Sequence, residues 1–405
     1  MFDFNSAPLA LTHDSALDPK IFPATVNAAR AWLETEPHAD IILANLPALE
    51  LALAGYVKNQ DPTSLALTRA AAQRVNAAAQ ENLSLDTLAA RLVLNTHLFQ
   101  ITRDALFQTA AQRLTAQSRA RFDAERGFFA NATDDANVFC TDVNAQLAEA
   151  LYCAWRVWGD QPSREMAGDV LGQVGAAFQA PVGLAQRVAL ADDMKTDTRH
   201  LPAYAAVMQM YLTATETTGR ATYVARARIV GNYARANLWD DALGAPRAPR
   251  AQLADAFTRL AQFTSADAYR AAAHALLHDA SAVAQDIGAA RYALAVEHAT
   301  QFPLHLVILG NADHDETARE MWNVAWNTFG SARAIEILDP QQHTARLETL
   351  GYSAADPETR AYVCRGPICF PPVRSAEQLR AMVETGEMEG WSDGEIEGLG
   401  DWVIG

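Results

Sequence analysis

The sequence is poor in cysteine, in clustered positive charge and in long apolar runs, and each shortage excludes something. Four cysteines in 405 residues are too few for a disulfide scaffold. Lys and Arg total 32 against 48 Asp and Glu, a formal net charge of −16, and no basic block occurs. A nucleic-acid-binding surface needs clustered cations to displace counterions, so nucleic acid is not an expected partner. No apolar run approaches the roughly 18–20 residues that span a bilayer, so no membrane partner is expected either. The opening stretch MFDFNSAPLALTHDSALD lacks the basic and apolar regions of a secretory leader. A cytoplasmic protein with reduced thiols is the expectation. No P-loop, G-x-G-x-x-G or G-x-S-x-G occurs, and neither cofactor nor metal is expected.

What is present is apolar and helical. The chain is 50% hydrophobic, enough for a large core. Alanine recurs in stretches such as LALTRAAAQRVNAAAQ and AYRAAAHALLHDA. It carries the least cost in a helix, and the apolar residues around it return every three or four positions rather than alternating. From about residue 24 to 301 the pattern predicts helix throughout, with no strand.

A repeat underlies this region. Apolar helices end in short polar turns near Asp61, Arg103, Asp160, Gly219 and Ser265, and an Ala/Arg-rich helix follows each. The spacing predicts pairs 41–58 with 63–79, 86–97 with 103–120, 143–157 with 163–179, 203–217 with 221–237, and 251–263 with 267–281. Helices at about 287–301 and 24–36 remain and can pair across the chain ends. Six pairs can close on themselves, whereas an open solenoid leaves two ends that need polar caps. The expected fold is therefore mainly α, an (α/α)6 toroid over 24–303, with an open superhelix as the alternative. In such a ring the long connections 121–142, 180–202 and 238–250 share one face, and long loops in compact domains are usually functional.

After residue 303 the texture changes to a small α/β appendage over 304–385. Strands are expected at LHLVILG (304–310), ARAIEIL (332–338) and AYVC (361–364). Helices are expected at 315–329 and 375–384, the second capped by Ser375. An acidic, Gly-rich tail occupies 386–405.

The stretches AYVCRGPICFPPVRSAEQL near the C-terminus, CTDVNAQLAEAL (140–151) and LWDDALGA (238–245) resemble the bacterial YyaL-type, thioredoxin-domain-containing family related to a mammalian spermatogenesis-associated protein. The resemblance implies a six-hairpin, glycosidase-like toroid. Family members also carry an N-terminal thioredoxin-like domain, and no strand-rich Cys-x-x-Cys segment matches it here. A further family motif is interrupted, with Asp192-Asp193 and Tyr204-Ala205 separated.

The candidate site residues lie on the long-loop face. Asp192, Asp193, Asp197 and His200 precede the fourth inner helix, and carboxylates with a histidine suit acid–base work on a sugar. A solvated acidic loop is the other reading. Arg199, Tyr204, Asp142, Asn144, Trp239, Asp240 and Phe128 are candidate substrate-binding residues, although Asp142 also suits a helix N-cap and Trp239 suits helix packing. His274 and His278, four apart, read as surface residues rather than metal ligands. Cys364 and Cys369 flank Gly366-Pro367 and read as a structural corner with buried thiols, a reversible redox pair or part of a metal site. The functional expectation is a carbohydrate-active protein performing isomerase, epimerase or hydrolase chemistry on a sugar-like small molecule. The rival is a non-catalytic adaptor that binds a protein partner, such as a separate thioredoxin, through the long-loop face or Cys364/Cys369.

Overall fold

A computed structural model of the chain describes residues 17–18, 20–78, 83–130, 138–179, 182–189, 194–196, 198–278, 287–301, 303–328, 330, 332–353, 358–365 and 368–385. The acidic tail 386–405 and the side chains of Asp192, Asp193 and Asp197 lie outside the described residues. The chain divides into two units, residues 1–214 with 222–300, and residues 215–221 with 301–405.

The first unit is built from helical hairpins. Helix α1 (Ile21–Glu34) and the short α2 (Ala39–Ala44) lead into α3 (Leu46–Asn59) and α4 (Pro62–Ala77). The next pairs are α5 (Leu85–Thr102) with α6 (Ala105–Arg119) and α7 (Thr141–Trp158) with α8 (Gln161–Ala177). Then come α9 (Leu201–Thr218) with α10 (Thr222–Asn237), the short α11 (Trp239–Gly244), α12 (Arg247–Thr264) with α13 (Asp267–Leu277), and α14 (Ala290–Thr300).

The turns show why the sequence breaks where it does. Gln60, Arg103, Gly159, Gly219 and Ser265 all take positive φ, the left-handed conformation that closes a helix C-terminus. Asp61 and Asp104 then cap the following helices, accepting from Thr63 N and Leu106 N at 3.0 Å each.

Packing closes the ring. Helix α3 packs on α5, α5 on α7, α12 on α14, and α14 returns to α3. Hydrogen bonds supply the two remaining links: Thr213 Oγ1 donates to Glu149 across α9 and α7 (2.9 Å) and Gln209 Nε2 donates to Asp255 across α9 and α12 (2.9 Å). Helix α1 covers the closing seam, packing on α14, α3 and α4. Gly55 of α3 lets it approach, because a Cβ there would lie 2.6 Å from Val26 Cγ1. The ring core is Ala- and Leu-rich, with Leu49, Leu51, Leu92, Ala148, Leu212 and Ala256 fully buried.

One expectation fails. The long connections contain short strands: β1 (Phe122–Asp123), β2 (Phe128–Phe129), β3 (Val138–Cys140), β4 (Phe178–Gln179), β5 (Gly183–Leu184), β6 (Arg187–Ala189) and β7 (Met194–Thr196). At two or three residues each they are too short to show an alternating pattern. Strands β3, β6 and β7 form one antiparallel sheet in that order, which knits the connection before α7 to the one before α9.

The second unit holds β8 (Leu304–Leu309), α15 (Glu316–Asn327), β9 (Arg333–Leu338), α16 (Thr344–Thr349), β10 (Arg360–Arg365), β11 (Ile368–Cys369) and α17 (Ala376–Thr385). The sheet order is β11-β10-β8-β9, with β8 and β9 parallel and the other pairs antiparallel. Its strands read as near-continuous apolar runs because both faces are covered. Helices α15 and α17 pack on each other, and Val307, Leu309 and Leu338 cluster with Leu347 of α16. The indoles of Trp322 and Trp326 both donate to the carbonyl of Glu216 (3.0 and 3.2 Å).

Cys364 and Cys369 sit opposite each other in the β10–β11 hairpin and are joined as a disulfide. The structure therefore corrects the readings with free thiols, and no metal-binding group of His, Cys, Asp or Glu occurs among the described residues. The bridge spans a separation of five residues, and a loop that short stabilises by about 2 kcal/mol in the chain-entropy account. Reduction with dithiothreitol is expected to lower the stability of the second unit by about that amount. Hydrogen exchange of the β10–β11 peptides is the measurement, and unchanged protection would contradict it.

Candidate active site in the ring

Inner and outer helices alternate in direction, so the N-termini of the inner helices share a face with the long connections. Asp142 lies in the first turn of α7, and His200 lies directly before α9. Their side chains meet, His200 Nε2 donating to Asp142 Oδ2 at 3.2 Å. Burial pushes the Asp142 carboxyl up. The hydrogen bond from His200, the Val143 N–H and the imidazole charge outweigh it and hold the carboxyl below the ordinary range. Arg199 forms an ion pair with Asp241 of α11, and Trp239 is half-buried beside the exposed Asp240. Of the proposed mouth residues, Asp142, Arg199 and His200 thus take part in polar pairs across these connections.

Three others are structural. Tyr204 is fully buried, its hydroxyl accepting from Leu184 N (2.9 Å) and donating to Thr198 O (2.7 Å). Asn144 is fully buried and binds backbone only: it accepts from Phe129 N (2.7 Å) and donates to Phe129 O (3.3 Å) and Cys140 O (2.9 Å). Phe128 is enclosed, edge-on to Phe139. These side chains fasten the connections down. His274 is also less exposed than expected, its Nε2 lying 3.2 Å from Ala299 O.

The sequence reading missed a polar layer inside the ring, to which each inner helix contributes. His97 of α5 donates to Glu50 of α3 (2.9 Å). Glu149 of α7 accepts from Thr213 of α9 and from Arg259 of α12 (2.9 and 3.2 Å). Arg259 also donates to Gln209 Oε1 (2.8 Å), and Gln209 in turn donates to Asp255. Asp255 accepts from His298 Nδ1 of α14 at 2.6 Å. Lys58 of α3 and Glu297 of α14 pair at 2.7 Å across the closing seam. The layer is not sealed: 26% of the Glu149 side chain, 33% of Asp255 and 16% of His298 remain open to solvent.

The layer separates its carboxyl groups electrostatically. Burial raises Glu149, and the charge of Asp255 adds to that against the pull of Arg259 and Thr213. Burial also acts on Asp255, but His298, Arg259 and Arg291 outweigh it and hold the carboxyl low. His298 is raised: burial works against its charge, and Asp255 and Glu297 prevail over burial and Arg259. An imidazole raised on folding adds stability that is complete below its unfolded value, about 6.5, and is lost as pH climbs through the folded value. The unfolding temperature of the first unit is therefore expected to fall as pH rises above about 6.5. Asp255→Asn is expected to remove that component, with calorimetry between pH 6 and 9 as the check.

No family model and no curated protein sequence matches the chain. Solved structures do. An unsaturated glucuronyl hydrolase specific for heparin aligns with TM-score 0.57 and 12% identity, covering 65% of this chain and 84% of that one. The Lin0763 protein from Listeria innocua aligns with TM-score 0.57 and 13% identity, covering 69% and 96%. The GH76A α-1,6-mannanase from Salegentibacter sp. HEL1_6 gives 0.55 and 12%, covering 69% and 98%. The fold is the (α/α)6 toroid. At these identities the likeness concerns architecture, and the ring's side chains have to be read on their own chemistry.

Proposed function

We propose that this toroid is a carbohydrate-active protein that takes a sugar into the ring through the mouth formed by the connections before α7, α9 and α12. The observation that carries the reading is the Asp142–His200 pair. It joins two neighbouring inner helices at the long-loop face of a ring whose architecture the glucuronyl hydrolases and the mannanase share. Asp142 and His200, with Asp192, Asp193 and Asp197 from the same connection as His200, supply acid–base groups that orient sugar hydroxyls and exchange protons with them. Trp239, half-buried at the start of α11, offers a ring face for stacking. Hydrolysis and isomerisation both use such groups. The kinship with the YyaL-type family, drawn from the three stretches above, is part of this proposal.

A ligand that binds only the folded state raises its melting point, by about 2.7 kcal/mol of stabilisation at a hundredfold excess over Kd. Thermal unfolding in the presence of neutral and uronic-acid oligosaccharides is the test. A shift with at least one sugar, weakened in Asp142→Asn, is expected; no shift with any sugar would overturn the reading. The adaptor alternative draws on the Cys364–Cys369 bridge, beside which Ile368 is 61% exposed. Capture of a separate thioredoxin as a mixed disulfide by Cys364→Ser would favour it.

A further inference from the structure

We infer that the Cys364–Cys369 bridge is a thiol–disulfide exchange site that oxidises dithiols, with Cys369 the sulfur attacked and Cys364 the sulfur released. The site lies wholly in the second unit and does not depend on the carbohydrate reading of the first.

The two halves of the bridge are unequal. Cys364 is 4% exposed on the interior strand β10, whereas Cys369 is half-buried on the two-residue edge strand β11. The attacking species in exchange is a thiolate, and one arriving from solvent meets Cys369 first.

The buried sulfur has polar neighbours suited to a departing thiolate. The Tyr352 hydroxyl lies 3.4 Å from Cys364 Sγ and 3.9 Å from Cys369 Sγ. A bridged sulfur carries no proton, so Tyr352 is the donor. Its ring stacks on Tyr362 of β10 with centroids 4.1 Å apart. Burial, with Tyr362 and Glu336 nearby, pushes its ionisation well above the ordinary range, so the O–H is kept. His305 of β8 stands directly opposite Cys364, and opposed residues share a sheet face. Glu336 of β9 is opposite Val307, two residues along from His305, and so lies on that face as well. Its carboxylate is hydrogen-bonded to His305 and doubly to Arg346. Arg346 balances its charge, so no unpaired carboxylate opposes negative charge on Cys364. Once that charge forms, the contact from Tyr352 becomes a charge-assisted hydrogen bond.

The exchange balances with the bridge itself as oxidant. The incoming thiolate bonds to Cys369 Sγ, the bond between the two cysteine sulfurs breaks, and its electron pair leaves on Cys364 Sγ. An attacker with one thiol is expelled again, because Cys364 is held beside Cys369 at high effective concentration. A second thiol on the same attacker competes on equal terms. It bonds to the attacker's own bridged sulfur and releases Cys369 as a thiolate. The dithiol loses two electrons and two protons to become a disulfide, and the bridge gains both pairs to become two thiols. The substrate class is therefore a dithiol, such as a Cys-x-x-Cys segment.

The full oxidised chain is mixed with a Cys-x-x-Cys dithiol peptide, and separately with glutathione at equal thiol concentration. Samples are quenched in acid, alkylated, digested with trypsin and read by mass spectrometry. Cleavage after Arg360, Arg365 and Arg374 places Cys364 and Cys369 on different peptides. The dithiol is expected to open the bridge at least about tenfold faster than glutathione, forming one peptide disulfide per chain. The glutathione adduct is expected on the peptide 366–374. Tyr352→Phe, which keeps the ring stack, is expected to slow opening by about tenfold. A bridge that stays closed in the folded chain, while the same dithiol reduces oxidised glutathione, would overturn the inference. So would an adduct on Cys364, opening by glutathione as fast as by the dithiol, or a Tyr352→Phe rate equal to wild type. The adduct position and the ratio of the two rates are read on the unaltered chain, so they decide the matter even if Tyr352→Phe fails to fold.

Discussion

Replacing Arg346 by Ala is expected to destabilise the second unit by about 3–5 kcal/mol, the cost of leaving a buried charge without its partner. Glu336 points from β9 into the sheet's covered face, where its side chain is 5% exposed. Arg346 of α16 binds both its oxygens, at 2.8 and 2.6 Å, and His305 of β8 adds a third bond at 2.7 Å. Burial pushes this carboxyl up, but those bonds and the two charges bring it down to about 2. A carboxyl depressed on folding contributes stability that is complete above its unfolded pKa and is lost as pH falls through the folded one. The second unit is thus expected to lose about 3 kcal/mol between pH 4.5 and 2. Arg346→Ala should flatten that acid limb, whereas replacing both partners by leucine should be far less damaging than the single change. Hydrogen exchange of peptides from β8, β9 and β10 across pH 2–7 reads both effects. An Arg346→Ala variant as protected as wild type would show that the pair is not buried as described.

Asn144→Ala is the second large effect, expected on the order of 3 kcal/mol because it orphans buried backbone groups of Phe129 and Cys140. Denaturant unfolding measures it, with Asp240→Ala at the exposed start of α11 as a control expected to stay within about 0.5 kcal/mol. If Asn144 faced a ligand and not the backbone, its removal would leave stability unchanged and weaken sugar binding instead.

Asn144 also shows what could be read from sequence and what could not. The hairpins were legible because each boundary has local chemistry: Asp61 and Asp104 are capping residues, and Gly159 and Gly219 are C-terminal stops. The expected pairing of the first and last helices follows from helix count alone, and α1 does pack on α14. The roles of Asn144 and Tyr204 were not legible, because a polar side chain beside a long loop looks the same whether it binds backbone or substrate. Only the positions of Phe129, Leu184 and Thr198 decide, and those depend on two strands of two residues and a turn. The polar layer was hidden for the opposite reason. Glu149 stands between Ala148 and Ala150, and Asp255 between Ala254 and Ala256. One charged residue on an apolar helix resembles a surface position until the neighbouring helices bring Arg259 and His298 to it. A usable signal was present in the spacing, with Asp142 seven residues from Glu149 and Asp255 four from Arg259 on single helix faces.

The mouth and the layer both require the ring to close, and the closing seam offers the most direct test. Lys58 and Glu297 lie 239 residues apart in sequence and 2.7 Å apart in space. The chain has three lysines, Lys20, Lys58 and Lys195, so amide cross-links are few and easily assigned. A zero-length carbodiimide cross-link followed by peptide mass spectrometry is expected to join Lys58 to Glu297 within single chains and to disappear in Lys58→Arg. Folded protein in which Lys58 is joined only to carboxyls near it in sequence, and never to the α14 peptide, would mean an open arc with no interior layer.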